Sequence, residues 1–162
     1  MKIFKYKFTR LITILIYVGM LLAVVAFGLT TYFVAVNDLA ATANPVYDII
    51  GHVLMFAVSV AIFAILLSLL LASYYAVDTE KKIFKTSFGI IKSKYDVMKI
   101  DTVLLDRTTN KLSVYFENET FITIVVKQEW YGDFVDALLK ANPKIDYSIR
   151  SKENTPDDEN KK

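Results

Sequence analysis

The side chains of this sequence that could do chemistry are few and scattered. It has one histidine, His52, and no cysteine. A nucleophile–base–acid set therefore has a single candidate base, and thiolate metal sites, cysteine nucleophiles and disulfides are all excluded by composition. A lone histidine makes no metal site, and its place near the end of a long uncharged stretch reads as an interfacial polar residue. Asp101 and Asp106 lie five positions apart along a strand-like stretch and read as edge and turn residues, not as a tuned acid–base pair. The five glycines are scattered, so no glycine-rich phosphate cradle exists. No catalytic, cofactor-binding or metal-ligating residue is expected. What remains is cationic: Lys81, Lys82, Lys85, Lys92 and Lys94, grouped around two turns. Near a membrane such lysines could meet anionic lipid headgroups at about 1 kcal/mol each, or face a protein partner. The competing expectation is a solvated face that marks topology. A net charge of +2, without a basic stripe interleaved with aromatics, argues against nucleic acid.

The elements that carry these lysines follow from how apolar and charged residues segregate. Of 162 residues, 54% are hydrophobic and 22% charged, and no charged side chain occurs from Leu11 to Val36 or from Ile49 to Val77. A helix of about 26 residues reaches roughly 39 Å, enough for a hydrocarbon core of about 30 Å. Transmembrane helices are expected over 11–36 and 49–73. The first is too long for the apolar core of a signal peptide, even though Ala41-Thr42-Ala43 resembles a cleavage site. Residues 1–10 hold Lys2, Lys5, Lys7 and Arg10 with no acid, and read as a basic, aromatic juxtamembrane segment. The connection over 37–48 holds Asp38 and Asp48 with no Lys or Arg. Positive charge marks the inside, so both termini are expected in the cytoplasm and the acidic loop outside.

Small residues recur on one face of each helix: Gly19, Ala23, Ala26 and Thr30 in the first, Ala57, Ala61, Ala64 and Ser68 in the second. Such stripes let membrane helices approach closely. They are expected to pack the pair as an antiparallel hairpin, with homo-oligomerisation the alternative use.

From Tyr74 the period changes to short alternating runs separated by polar turns, which reads as an antiparallel meander. A helix from about Glu129 to Ala141 follows, with Trp130, Phe134, Leu138 and Ala141 on one face and Asn142-Pro143 as the stop. It is expected to plug the open end of a curved sheet of about six strands, with Trp130 and Phe134 as its main core contribution. Ser151 to Lys162 has no apolar residue to bury, and a disordered tail is expected over 148–162.

The stretch Tyr75-Ala76-Val77-Asp78, then Lys82-Ile83-Phe84-Lys85, Gly89, Lys92-Ser93-Lys94 and Val97-Met98-Lys99-Ile100, resembles the bacterial pleckstrin-homology-like (PH-like) domains, in particular the membrane-anchored YyaB-like branch. The most specific part is Phe134-Val135-Asp136-Ala137-Leu138-Leu139-Lys140-Ala141-Asn142-Pro143-Lys144-Ile145. The connection Asp106 to Asn110 is shorter than relatives often carry. The resemblance implies a PH-like domain over 74–147, an α+β unit on a membrane α-helical hairpin of the bacterial plasma membrane. It implies a binding or assembly module without cofactor or catalysis, its partners being the lipid bilayer, an unknown protein or further copies of itself. No Arg occurs between Tyr74 and Tyr95, so inositide binding is not expected. A small immunity protein against a bacteriocin or membrane-active peptide is the alternative.

Overall fold

The computed structural model describes residues 1–36 and 44–151. Its elements are β1 (Lys2–Lys5), α1 (Arg10–Val36), α2 (Pro45–Ala72), β2 (Tyr74–Asp78), β3 (Ile83–Phe88), β4 (Ile91–Asp96), β5 (Ile100–Asp106), β6 (Lys111–Phe116), β7 (Phe121–Ile124), α3 (Tyr131–Ala141) and β8 (Asp146–Arg150). They fall into two units. One contains Phe8–Ser73 together with the turn Phe88–Ile91; the other contains Met1–Lys7, Tyr74–Ser87 and the chain from Lys92 on.

The helical unit is α1 and α2, two helices long and apolar enough to cross a membrane, with mean hydropathy 2.6 and 2.9 over their most apolar stretches. Only 11% and 6% of those stretches is buried within the protein. A core helix of a water-soluble domain would be mostly covered, and these are not. Proline at the first turn of α2 suits a position whose N–H has no helical partner. This start lies at Pro45, ahead of the expected 49; of the expected connection over 37–48, residues 37–43 lie outside the described residues.

The second unit holds two four-stranded sheets, in the orders β1-β2-β3-β4 and β7-β6-β5-β8. Eight strands thus replace the expected six, for reasons found at the two ends. Residues 2–5, read as part of a juxtamembrane segment, form β1 and pair antiparallel with β2, Phe4 opposite Tyr75. Residues 146–150, of which 146–147 were expected to end the domain and 148–150 to begin the tail, form β8 and pair parallel with β5. Residues 152–162 of that tail lie outside the described residues. The Lys7 N–H donates to the Val125 carbonyl at 2.8 Å, which ties the chain after β1 to the chain after β7 in the other sheet, and the Glu117 N–H extends the β5–β6 pairing to the Lys99 carbonyl at 3.1 Å.

Turn chemistry explains the meander. The Asp106 carboxylate accepts from the N–H groups of Thr108 and Thr109 at 2.8 and 3.2 Å, which closes the β5–β6 turn. Asn110 takes the left-handed conformation there at φ 51°, which asparagine tolerates well. Asp78 does the same for Lys81 in the β2–β3 turn at 3.2 Å.

The core lies between the sheets and α3. Phe134 is fully buried and meets Phe4, Tyr75 and Phe84 with ring centroids 5.2, 6.3 and 5.8 Å away. Trp130, expected inside α3, instead sits in the 3₁₀ turn before it and is only partly buried. Buried Asn142 caps the other end: its N–H reaches the Leu138 carbonyl at 2.8 Å, and its side-chain amide donates to the Val97 carbonyl at 3.2 Å.

Candidate functional site

In the second unit, alternation along the strands sorts the candidate lysines. Phe84 on β3 and Tyr95 on β4 point into the core and touch at 5.8 Å. Lys85 follows Phe84, and Lys94 precedes Tyr95, so both project from the opposite face, and Lys92 shares that face two positions before Lys94. Lys85 is partly exposed, and Lys92 and Lys94 are exposed. The three form a cationic face on adjacent strands. Lys81 and Lys82 are not part of it. They lie in the β2–β3 turn, at the other end of β3, where the Lys82 carbonyl accepts from the Val97 N–H at 2.9 Å. Lys82 itself is held at φ 54°. Five candidate lysines thus resolve into a strand face of three and a turn pair.

Between the helices, the small-residue stripe of α1 is the contact face. Ala23 and Thr30 are buried, and Gly19 and Ala26 are partly buried. A Cβ on Gly19 would lie 2.8 Å from Leu66 Cδ1, so the glycine leaves the space that the Leu66 side chain fills. The stripe of α2 behaves differently. Ala57, Ala61 and Ala64 are exposed and Ser68 is partly buried. The face that α2 turns toward α1 carries Phe56, Ser59, Phe63 and Leu66. Phe27 and Phe56 meet edge to face at 4.7 Å. Large side chains of α2 fill the groove left by small ones of α1, which is complementary packing rather than small against small. Ser59, the one buried residue of α2, satisfies its hydroxyl on the Met55 carbonyl at 2.8 Å.

His52 lies on the helical unit beside Thr30 and Asp48, along a cleft of about 430 Å³. Its Nδ1 is 2.7 Å from the Asp48 carbonyl, which can only accept, so Nδ1 carries the proton. Thr30 donates to the Ala26 carbonyl at 2.8 Å. Both polar groups are engaged by their own helices.

Asp101 and Asp106 both serve local strand and turn geometry. Asp101 is the extra residue of a bulge where β5 shifts register against β6. Hydrogen bonds from Thr109, side chain and backbone, hold the Asp106 carboxyl below the usual carboxylate range. Tyr75 is the strongly perturbed group: burial pushes its hydroxyl up to about 12, while its hydrogen bond with Val125 and the neighbouring Tyr6 make smaller adjustments.

The residues that sequence reasoning missed are at the N-terminus. Phe4 and Tyr6 belong to the domain, Tyr6 stacking on Tyr75 at 5.9 Å. The signal was present: Phe4, Tyr6 and Phe8 alternate with Lys5 and Lys7, a strand period that the basic composition disguised as an interfacial anchor. Compared with family models, with curated proteins and with solved structures, the chain matches none.

Proposed function

We propose that this chain is a membrane-anchored, non-catalytic binding and assembly module that presents a PH-like domain at the cytoplasmic face of a bacterial plasma membrane. The observation that carries the reading is the cationic strand face, Lys85, Lys92 and Lys94, on a folded domain joined to a lipid-length helix through Ser73 alone. A linker of one residue keeps the start of β2 within a few ångströms of the helix end, whatever the domain's orientation. A meander over β2 to β4, a second over β5 to β7 and a helix packed on the core support the PH-like assignment; β1 and the parallel strand β8 add one strand to each sheet. The charge pattern supports the cytoplasmic side, since Lys and Arg flank the outer ends of the helix pair and the connection between them has neither.

The ligand of such a face carries negative charge: phospholipid headgroups or an acidic protein surface. Photo-crosslinking in cells distinguishes them. A photoreactive residue replacing Lys92 or Lys94 in the full-length chain should give a defined adduct, either phospholipid or one protein band. The same residue in place of Leu54, on the exposed surface of α2, is the control for lipid labelling. Lipid adducts from Leu54 with none of any kind from Lys92 or Lys94 would leave the face a solvated one and remove the proposal.

A further inference from the structure

The β3–β4 turn is chemically out of place for water. Phe88, Gly89, Ile90 and Ile91 group with the helices, not with the strands on either side of them. The reason is a close backbone approach. Gly89 is buried at φ 59°, its N–H donates to Ser73 Oγ at 3.1 Å, and a Cβ there would lie 2.9 Å from Leu69 Cδ2 and 3.0 Å from Ser68 Oγ. The turn backbone therefore lies against the last turns of α2. The Phe88 ring packs beside Phe8 at 6.0 Å. Beyond this anchored backbone stand Ile90, 68% exposed, and Ile91, 64% exposed. Tight turns in water favour Gly, Asn, Asp, Ser and Pro, and two adjacent bare isoleucines are the reverse of that pattern.

What covers them is indicated by the helix end that the turn lies against. Ile65 and Leu71 of α2, on the same helical end, are 44% and 77% exposed. That apolar exterior is the part of the molecule a bilayer would cover. Lys92 comes directly after Ile91, and Lys94 two positions later. An apolar tip followed by cations is the arrangement that enters the headgroup–acyl boundary and leaves its charges at the phosphates. We infer that the Phe88–Ile91 turn is a lipid-inserting wedge, with Ile90 and Ile91 entering the leaflet beside the C-terminal end of α2 and Lys92 and Lys94 at its phosphates. The inference rests on the membrane-spanning reading of α1 and α2.

The chain has no cysteine, so single-cysteine variants of the full-length protein can be labelled directly. An environment-sensitive nitrobenzoxadiazole dye goes on Ile90→Cys, on Leu54→Cys in α2, and on Thr109→Cys in the exposed β5–β6 turn. The proteins are placed in phosphatidylethanolamine–phosphatidylglycerol vesicles. Quenching by doxyl-labelled lipid is compared with quenching by aqueous iodide. The expected result at Ile90 is quenching by shallow doxyl lipid, with iodide quenching several-fold weaker than at Thr109. Deep quenching at Leu54 with full iodide access at Ile90 overturns the wedge and leaves the spanning helices standing. Iodide access at Leu54 overturns the spanning reading itself. Protection at Ile90 that doxyl lipid does not quench, and that dilution of protein in lipid abolishes, means contact with a second copy and also overturns the wedge.

Discussion

At the scale of single residues, Phe134 holds more of the domain together than the only tryptophan. Its ring is fully buried among Phe4, Tyr75 and Phe84, whereas Trp130 is half-covered at the surface, with Lys127 Nζ 5.3 Å from its ring centre. Phe134→Ala should cost about 3–5 kcal/mol, the range for large aromatic truncations in packed cores, and Trp130→Ala clearly less. Chemical denaturation of the two variants checks the order; equal costs would mean that the 3₁₀ turn is a core element. Tyr75 supplies a test by pH. Its proton is held to about 12 in the folded state and leaves near 10.0 in the unfolded chain. The folded form thus keeps a proton that the unfolded form has lost. The contribution to stability is whole below pH 10 and disappears as pH rises toward 12. Stability measured across that window should fall more steeply for the wild type than for Tyr75→Phe. Parallel curves would show that the hydroxyl is not desolvated.

At the scale of elements, what could be read from the sequence depended on how far each segment's signal was local. The two apolar helices and most of the meander were legible because long uncharged runs and period-two alternation report their own environment. β1 carried a strand period under its basic composition, but its place in the sheet was not legible, because its partner β2 lies some seventy positions away, across both helices. β8 was hidden likewise: Tyr147 and Ile149 alternate with polar residues over only five positions, both are exposed on a strand at the sheet edge, and the partner β5 lies some forty positions earlier. The lysines could be found by type, and only the strand register separates Lys85, Lys92 and Lys94 from Lys81 and Lys82. The helix stripes show the limit most clearly. Spacing alone made Ala23 and Ala61 equivalent, yet Ala23 is buried in the helix pair and Ala61 is exposed. Packing Ala23→Leu into that contact should cost about 1–3 kcal/mol as overpacking, while Ala61→Leu should leave the pair unchanged. Thermal unfolding of the full-length protein in detergent, followed by helical circular dichroism, separates them. If Ala61→Leu is the damaging change, α2 pairs with α1 through its small-residue stripe and not through Phe56, Ser59, Phe63 and Leu66. If it is harmless to the monomer but alters assembly size in lipid, the exposed stripe of α2 is where copies meet.

At the scale of the whole molecule, the pairing of β1 with β2 bears on topology more strongly than charge counting does. One sheet contains strands from before α1 and from after α2, with Lys2 opposite Val77 and Lys5 opposite Tyr74. If the helices cross a bilayer, they must cross it an even number of times, because a single crossing would put the two strands on opposite sides. The strand ahead of α1 thus completes the sheet that begins after α2. Labelling tests this directly. Ile3→Cys on β1 and Thr109→Cys in the β5–β6 turn should react with a membrane-impermeant maleimide from the same side. In intact cells stripped of their wall, both should stay unlabelled until the membrane is opened. Labelling of Ile3 from outside with Thr109 protected would break the β1–β2 pairing. Removal of the N-terminal strand gives the energetic counterpart. Phe4 is 5% exposed and packs on Phe134 at 5.2 Å, so a chain lacking residues 1–7 loses an aromatic anchor, a pairing strand and the Lys7 link to Val125 together. Loss of Phe4 alone accounts for about 3–5 kcal/mol, a large share of the roughly 5–15 kcal/mol that a domain has in total. The truncated protein should therefore still insert its helices and present a domain that proteases digest, whereas a domain left protease-resistant would show β1 to be an accessory to the sheet.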